Sequence, residues 1–294
     1  MKRRTLDEMD ESQGRGLGGF LRSLLSGVPW SERAEGDEIL HFEATNRAVV
    51  RLHNSNGRTR IVGEDREDIE VRARKIARAE SAEEAQLLLK SIRIAAREEG
   101  DTLDLEVEVP RKWNRRGYAN LELSVPRSLR VQISAANGKI AIEGMRGSVS
   151  ARSSNGSVSL VDIVGDVEIE TTNAKVSCSC TCGRIFARSS NGKIELEGHR
   201  GSVDASTSNG LIRAELEEVG TQGVALATSN GRIVLQLPEQ VDAEIDIRVD
   251  NGVIRNDRPL CQSHRESDGQ IRGRLGNGGS PIKLRTSNGS ITLR

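Results

Sequence analysis

An Asn-Gly pair, or a near relative of it, recurs every 18 residues through the middle of this 294-residue chain. It stands at Asn137-Gly138, Asn155-Gly156, Asn173-Ala174, Asn191-Gly192 and Asn209-Gly210, then at Asn230-Gly231 and Asn251-Gly252 after steps of 21. Asn288-Gly289 closes the series 37 residues later, and Asn56-Gly57 is an outlying early copy. Ser or Thr usually precedes the pair, and an alternating strand follows it, as in Lys193-Ile194-Glu195-Leu196 or Arg232-Ile233-Val234-Leu235. A second short strand follows a glycine, as in Gly147-Ser148-Val149-Ser150-Ala151. One unit is therefore strand, Gly-centred turn, strand, Ser/Thr-Asn-Gly turn. Asn and Gly tolerate positive φ and sit where a chain must bend tightly.

Alternation of Ile, Val, Leu and Ala with polar residues marks strands with one buried face. Two strands cannot bury a face alone, whereas stacked identical units bury a continuous core. An in-plane meander has no reason to hold a constant period. A parallel β-solenoid has one, because each rung must close to the same circumference. The left-handed hexapeptide coil also repeats at 18 but needs aliphatics six apart, and Ile140 leads instead to Arg146 and Arg152. The expected fold is thus all-β, a right-handed parallel solenoid of 18–21 residues per rung with an N-terminal cap containing one α-helix. The eight asparagines at 137, 155, 173, 191, 209, 230, 251 and 288 should form one column, their amides stacked as a ladder at the strand spacing of about 4.8 Å. Ala174 stands where its neighbours have glycine, so its corner should avoid positive φ. The inward set should include Ile140, Ile142, Val149, Ala151, Val158, Leu160, Val167, Ile169, Ile194, Leu196, Val203, Ala205, Ile233 and Leu235.

The chain divides into a polar segment 1–40, a β region 41–135 and the repeat solenoid 136–294, with a long Gly-rich, charged loop at about 256–280. Within the β region, Ser81 and Glu84 have capping-box spacing, and Ala85, Leu88, Leu89 and Ile92 make an apolar stripe, so a cap helix is expected over about 82–91. Because the chain finishes on a strand at Leu293-Arg294, the C-terminal end of the stack is expected to be open. In the first segment Leu17, Phe20, Leu21, Leu24, Leu25 and Val28 follow one helical face over about 17–28, with Pro29 as the stop and Trp30 beside it. Such a stripe needs a partner surface, either protein or the membrane interface. Interfacial helices carry a strongly basic polar face. Here only Arg22 and Arg15 supply charge of that sign, which favours protein docking or self-association.

Lys+Arg and Asp+Glu number 43 each, so no global basic field points to nucleic acid. No run reaches the ~18 apolar residues of a membrane span, and no apolar core follows the basic start Met1-Lys2-Arg3-Arg4. The expected location is cytoplasmic, with the inner membrane face as a place segment 17–28 would bring it. Cys178, Cys180 and Cys182 form a Cys-x-Cys-x-Cys run. Thiolates bind zinc or copper(I), but structural zinc sites use four ligands at spacings such as Cys-x₂-Cys. One unit on, Cys178 aligns with Leu196, which makes it a core residue. His41, His53, His199 and His264 form no ligand pattern, and all four read as solvated or structural. Gly14–Gly19 and Gly276–Gly279 lack the Lys-Ser/Thr of a phosphate loop. A polysaccharide-acting enzyme would show clustered acids over a groove and aromatic platforms, and aromatics are only 2% of the chain. No catalytic residue, cofactor or small-molecule substrate is identified.

The run Val125-Pro126-Arg127-Ser128-Leu129-Arg130-Val131-Gln132-Ile133, the Ser/Thr-Asn-Gly repeats, Gly273-Arg274-Leu275-Gly276-Asn277-Gly278-Gly279 and the closing Thr286-Ser287-Asn288-Gly289-Ser290-Ile291-Thr292-Leu293 together carry a family signature. The sequence resembles the bacterial putative-adhesin family with β-strand repeats, a domain of unknown function, over roughly residues 45–294. That resemblance implies a parallel β-helix-like fold and no activity, with some relatives tied to envelope-stress responses. The functional expectation is a non-catalytic scaffold or binding module. The competing expectation is a polymerising cytoskeletal β-helix like the bactofilins, which would need apolar, uncapped ends.

Overall fold

A computed structural model describes residues 31–113, 116–267 and 269–294. The described residues form β1 (Glu32–Glu43), β2 (Val49–His53), β3 (Thr59–Glu64), β4 (Asp68–Ala79), α1 (Ala82–Ser91), β5 (Arg93–Glu99), β6 (Thr102–Glu108), β7 (Gly117–Pro126), β8 (Arg130–Glu143), β9 (Val149–Val164), β10 (Val167–Ser189), β11 (Ile194–Gln236), β12 (Ala243–Asn256), β13 (Cys261–Ser267), β14 (Gln270–Leu275) and β15 (Ser280–Leu293). The 17–28 stripe, with Leu17, Phe20, Leu21, Leu24, Leu25 and Val28, and Trp30 after it, lies outside the described residues.

The fold is all-β, with the strands in one open sheet. The repeat appears directly in the register. β8 pairs β9, β9 pairs β10 and β10 pairs β11, all parallel, with partners such as Val131↔Val149, Val149↔Val167 and Ile185↔Val203 each 18 residues apart. All fourteen residues assigned to the interior from alternation are buried, and they join one core running through the stack. The reason is the strand period of two: in a strand kept in register by its neighbours, every second side chain must share the inner face.

The asparagine positions are bends rather than chain reversals. Strand pairing runs straight through most of them, with Asn137↔Asn155 and Gly138↔Gly156 as ladder partners. Ala174 is buried and is absent from the non-glycine residues with positive φ, which are Asn46, Asp162, Cys180 and Gln262.

Three features differ from the sequence reading. First, Asn56 is not an outlier. β2 and β3 together lie along β8 as one rung, Val49 beside Arg130 and Thr59 beside Ile140, with Asn56 bridged to Asn137. Second, the C-terminal strand is not at the end of the stack. β15 pairs β11 on one side and β12 on the other, both parallel, so the last rung in space is β12. Third, residues 256–280 are not one long loop, because β13 and β14 form an antiparallel hairpin there. β14 pairs the outer edge of β12 from Ala243 to Arg248. The 18-residue period does not report that edge placement, since the strands of the hairpin carry no Asn-Gly pair.

The N-terminal end is closed in two halves. Beyond β2 lie β6 and β5, and beyond β3 lie β7, β4 and β1, the last two antiparallel. β1 occupies the end of the segment read as polar. α1 forms where the capping box places it, the Ser81 hydroxyl accepting from the Glu84 N–H at 3.2 Å. Its buried face, Ala85 and Leu88, packs toward β4 and β1.

Candidate functional site

The asparagine side chains make one continuous hydrogen-bonded column. Each Nδ2 donates to the Oδ1 of the asparagine one rung before: 137 to 56, 155 to 137, 173 to 155, 191 to 173, 209 to 191 and 230 to 209, over 2.9–3.1 Å. The column then runs 288 to 230 at 2.9 Å and 251 to 288 at 3.1 Å, following the spatial order of the strands and not the chain. All eight bonds point the same way, so the amide dipoles align along the stack. Glycine follows each asparagine except at Ala174 because rungs approach closely there. A Cβ at Gly156 would lie 1.9 Å from the Gly138 carbonyl oxygen. The column is a structural spine, and its amide groups are spent on each other.

Outward side chains on either side of this column line two grooves. The first, about 690 Å³, lies before the asparagine of each rung. One row of its lining is Arg130, Ser148, Asp166, Arg184 and Ser202, and the next is Gln132, Ser150, Glu168, Phe186 and Asp204. Four of its charged lining residues, Asp166, Glu168, Arg184 and Asp204, are held in ion pairs. The Arg184 guanidinium meets Asp166 at 3.2 Å, Arg188 meets Asp204 at 3.2 Å, and Arg152 meets Glu168 at 3.5 Å. Arg130 Nε donates to the Ser148 hydroxyl at 3.1 Å. Phe186 stands half-buried in the middle with the Arg188 guanidinium 4.5 Å from its ring centre. Sequence reasoning passed over Phe186 because aromatic platforms were expected only beside clustered acids, and aromatics are 2% of the chain. The usable signal was a single aromatic at a position its neighbours fill with Ser, Glu and Asp.

The second groove, about 350 Å³, lies after the asparagine near the C-terminal end of the stack, among Arg213, Glu215, Arg232, Val234, Gln236, Val253, Arg255, Ser290, Thr292 and Arg294. Its sign is basic, with four arginines and one glutamate.

The structure separates the Cys-x-Cys-x-Cys run. Cys178 is fully buried between Leu160 and Leu196, and burial pushes its thiol up to about 12. Cys180 and Cys182 are exposed, and Cys180 takes a left-handed φ of 53°. The bend that turns Cys180 outward is shared by Gly144, Asp162 and Gly198, one per rung. The three thiols therefore do not face one point. No group of three or more His, Cys, Asp or Glu side chains converges as a metal site among the described residues.

His41 lies 3.8 Å from Asp68, and His53 Nε2 lies 3.3 Å from the Ser55 hydroxyl. His264 lies on β13. His199 is the exception in character. It is fully buried, its Nδ1 lies 2.9 Å from the Thr181 hydroxyl, and its Nε2 has no hydrogen-bond partner among the described residues. Burial holds its pKa below the ordinary 6.5. In its column stand Met145, Ile163 and Thr181, one unit apart, the first two apolar and all buried. It reads as a core residue with one polar anchor. No helix among the described residues is long and apolar enough to cross a membrane.

A family model described as Toastrack DUF4097 matches residues 49–294. No curated protein matches the chain. Among solved structures, similarity extends to a putative adhesin from Bacteroides fragilis, 13% identical, covering 90% of this chain and 99% of that one at a TM-score of 0.39. A putative lipid binding protein from Parabacteroides distasonis is 12% identical, with 88% and 97% covered and a TM-score of 0.35. A putative cell adhesion protein from Clostridium sporogenes is 9% identical, with 88% and 99% covered and a TM-score of 0.27.

Proposed function

This chain belongs to the Toastrack DUF4097 family, a domain of unknown function, and on that premise we propose that it is a non-catalytic binding module whose larger groove docks a protein partner. The observation that carries the reading is the composition of that groove. Its three acids, Asp166, Glu168 and Asp204, are each paired with an arginine, and an aromatic ring and short polar side chains stand among them. A half-buried aromatic beside arginine, rimmed by paired charges, is the pattern of a protein-interaction anchor. A catalytic site instead leaves charged groups aimed at a reacting atom. We infer also that the rungs coil right-handedly with 18–21 residues each, the hand that parallel crossovers take. A cytoplasmic setting is part of the proposal, supported by four unpaired cysteines.

The test is a photocrosslinking amino acid placed at Ser150 or Phe186, with Leu87 on the exposed face of α1 as the comparison position. In native cells the groove positions should give one defined protein adduct that Leu87 does not. Adducts of equal abundance from all three positions, or from none, would sink the reading.

A second reading, end-to-end polymerisation as in bactofilins, draws on one observation. β12 pairs β14 only as far as Arg248, and Val253 beyond that point is 56% exposed. Against it, antiparallel strands lie over both ends of the stack. Concentration-dependent filaments in negative stain would favour polymerisation over the module.

A further inference from the structure

We propose that the smaller groove, on the other side of the asparagine column from the partner groove, is a binding site for a phosphate group. Its floor is short and polar. Ser290 and Thr292 of β15 lie side by side on its outward face, with Val234 and Val253 as the apolar neighbours. Long basic side chains stand around that floor. In register, Arg232 of β11 pairs Ser290, and Arg255 of β12 pairs Thr292 from the opposite side. Arg213 stands one rung earlier, 21 residues before Val234, the same shift that joins Asn209 to Asn230. Adjacent strands are about 4.8 Å apart, so Arg232 and Arg255 come from strands about 10 Å apart and their side chains can converge over the hydroxyls between them.

The balance of charge distinguishes this groove from the first one, whose lining sets three acids against Arg130, Arg184 and Lys283. None of Arg213, Arg232 and Arg255 is in an ion pair among the described residues, and Arg232 Nε donates only to the neutral Ser290 hydroxyl at 3.2 Å. Arg294 at the groove's edge is paired with Asp257 at 3.6 Å. Most arginines elsewhere on the solenoid face have a carboxylate one rung away, as Arg184 has Asp166 and Arg200 has Glu217. Here the carboxylates are missing from three of four positions, and Glu215 is the only acid in the lining. Unpaired guanidiniums around two hydroxyls supply fork-shaped donors and O–H donors to one small volume. That donor set fits a tetrahedral oxyanion with several oxygens better than a planar carboxylate. No aromatic residue lines the groove. Base stacking is therefore absent, which points to a phosphate ester and not to a nucleic-acid strand.

A soluble phosphate ester and a lipid headgroup present the same chemistry, and two arms separate them. In the first, the full chain is titrated calorimetrically with inorganic pyrophosphate at low ionic strength. Arg232→Gln and Arg255→Gln should each weaken binding by about tenfold, the scale of one charge-assisted contact. Glu215→Gln should tighten it by removing the one repulsive charge. Arg60→Gln, far away in an ion pair with Glu122, should leave it unchanged. In the second arm, the same variants are co-sedimented with phosphatidylcholine vesicles with and without phosphatidylglycerol. Every variant keeps segment 17–28, so the difference between variants reports the groove alone. Binding of the anionic vesicles that falls with the arginine substitutions assigns the site to a headgroup. Pyrophosphate binding without vesicle binding assigns it to a free phosphate ester. If neither probe binds, or binding ignores Arg232 and Arg255, the proposal is overturned. Thermal melts of the variants, expected to match the parent because the substituted side chains are exposed, guard against misfolding. The partner groove and its crosslinking test are untouched by any of these results.

Discussion

Gly198 and Gly201 lie three residues apart in one bend, yet replacing them with alanine should cost very different amounts. Gly198 has φ 61°, in the left-handed region, and a Cβ there would meet nothing closer than the Glu217 carboxylate end at 3.4 Å. Its substitution costs only the left-handed conformation, about 1–2 kcal/mol, partly offset by the lower entropy of the unfolded chain, so about 1 kcal/mol net. Gly201 has φ 138°, and its Cβ would lie 1.9 Å from the Gly183 carbonyl oxygen, 2.9 Å from the carbon and 3.1 Å from the nitrogen. All three are backbone atoms of the adjacent rung, and comfortable contact begins near 3.5 Å. The two rungs must part by more than an ångström along Gly183↔Gly201, or the ladder must break. A loss of about 3 kcal/mol or more is expected, in the range of strain at a glycine-only backbone position plus lost pairing. The column supplies its own gradient, because the corresponding distances are 3.0 Å at Gly165 and 2.5 Å at Gly183. Urea unfolding of Gly165→Ala, Gly183→Ala and Gly201→Ala, followed by far-ultraviolet circular dichroism, should give midpoints that fall in that order. Equal midpoints for Gly198→Ala and Gly201→Ala would refute the argument that rung approach, and not φ alone, selects glycine.

Leu196→Ala, at a site with no exposure, should destabilise by roughly 2–5 kcal/mol in the same assay, and a loss well under one would show the core phase to be misassigned. Cys180→Gly should stabilise by about 1 kcal/mol, because an exposed cysteine there pays for a left-handed φ of 53° that glycine adopts freely, and an unchanged midpoint would contradict it. His199 is held below its ordinary 6.5 by burial, so between its folded value and 6.5 the unfolded chain binds the extra proton. Stability should therefore fall as pH drops below about 6.5, and His199→Met should flatten the pH 5–7 limb of a thermal-midpoint profile, Met being the residue at the matching position 145. The lowered carboxylates Asp68, Glu70 and Glu195 act further down, below their unfolded values of about 4, so they leave that window to the histidine.

The parts of the fold legible in the sequence are those that repeat or carry a strong local signal. A constant 18-residue interval reports a constant circumference, and two-residue alternation reports the inner face, so the interior residues from Ile140 to Leu235 could be read directly; the cap helix occurs once but was legible from its own local signal, the Ser81 cap and a helical apolar stripe. What repeats only once left no period to find. β1, β3, β5 and the β13–β14 hairpin each occur singly and pair with partners far away in sequence, Glu32 with Ala79 and Thr59 with Ile140 among them. The asparagine column was visible as composition, but its order was not. Nothing in a list of intervals says that the strand of Asn288 enters between those of Asn230 and Asn251. The grooves were hidden for a related reason. Their rows are residues 18, 21, 37 or 58 apart, and a charge is paired or unpaired only once the neighbouring rung is known.

That strand order makes the basic groove. Had the rungs followed the chain, β12 would have stacked on the Asn230 rung with the 21-residue shift. Val253 would then have faced Arg232, and Arg255 would have faced Val234, a surface of alternating long and branched side chains with no hydroxyl floor. Insertion of β15 between them changes both features at once. It sets Ser290 and Thr292 between Arg232 and Arg255, and it doubles the distance between the two arginine-bearing strands from one spacing to two, about 10 Å. Like charges at one strand spacing repel with little room for an ion between them. At two spacings, with donors on the strand between, the same charges can share one anion. A late strand that completes the core thus also turns two arginines that would have stood diagonally on adjacent strands into a pair facing a common ligand.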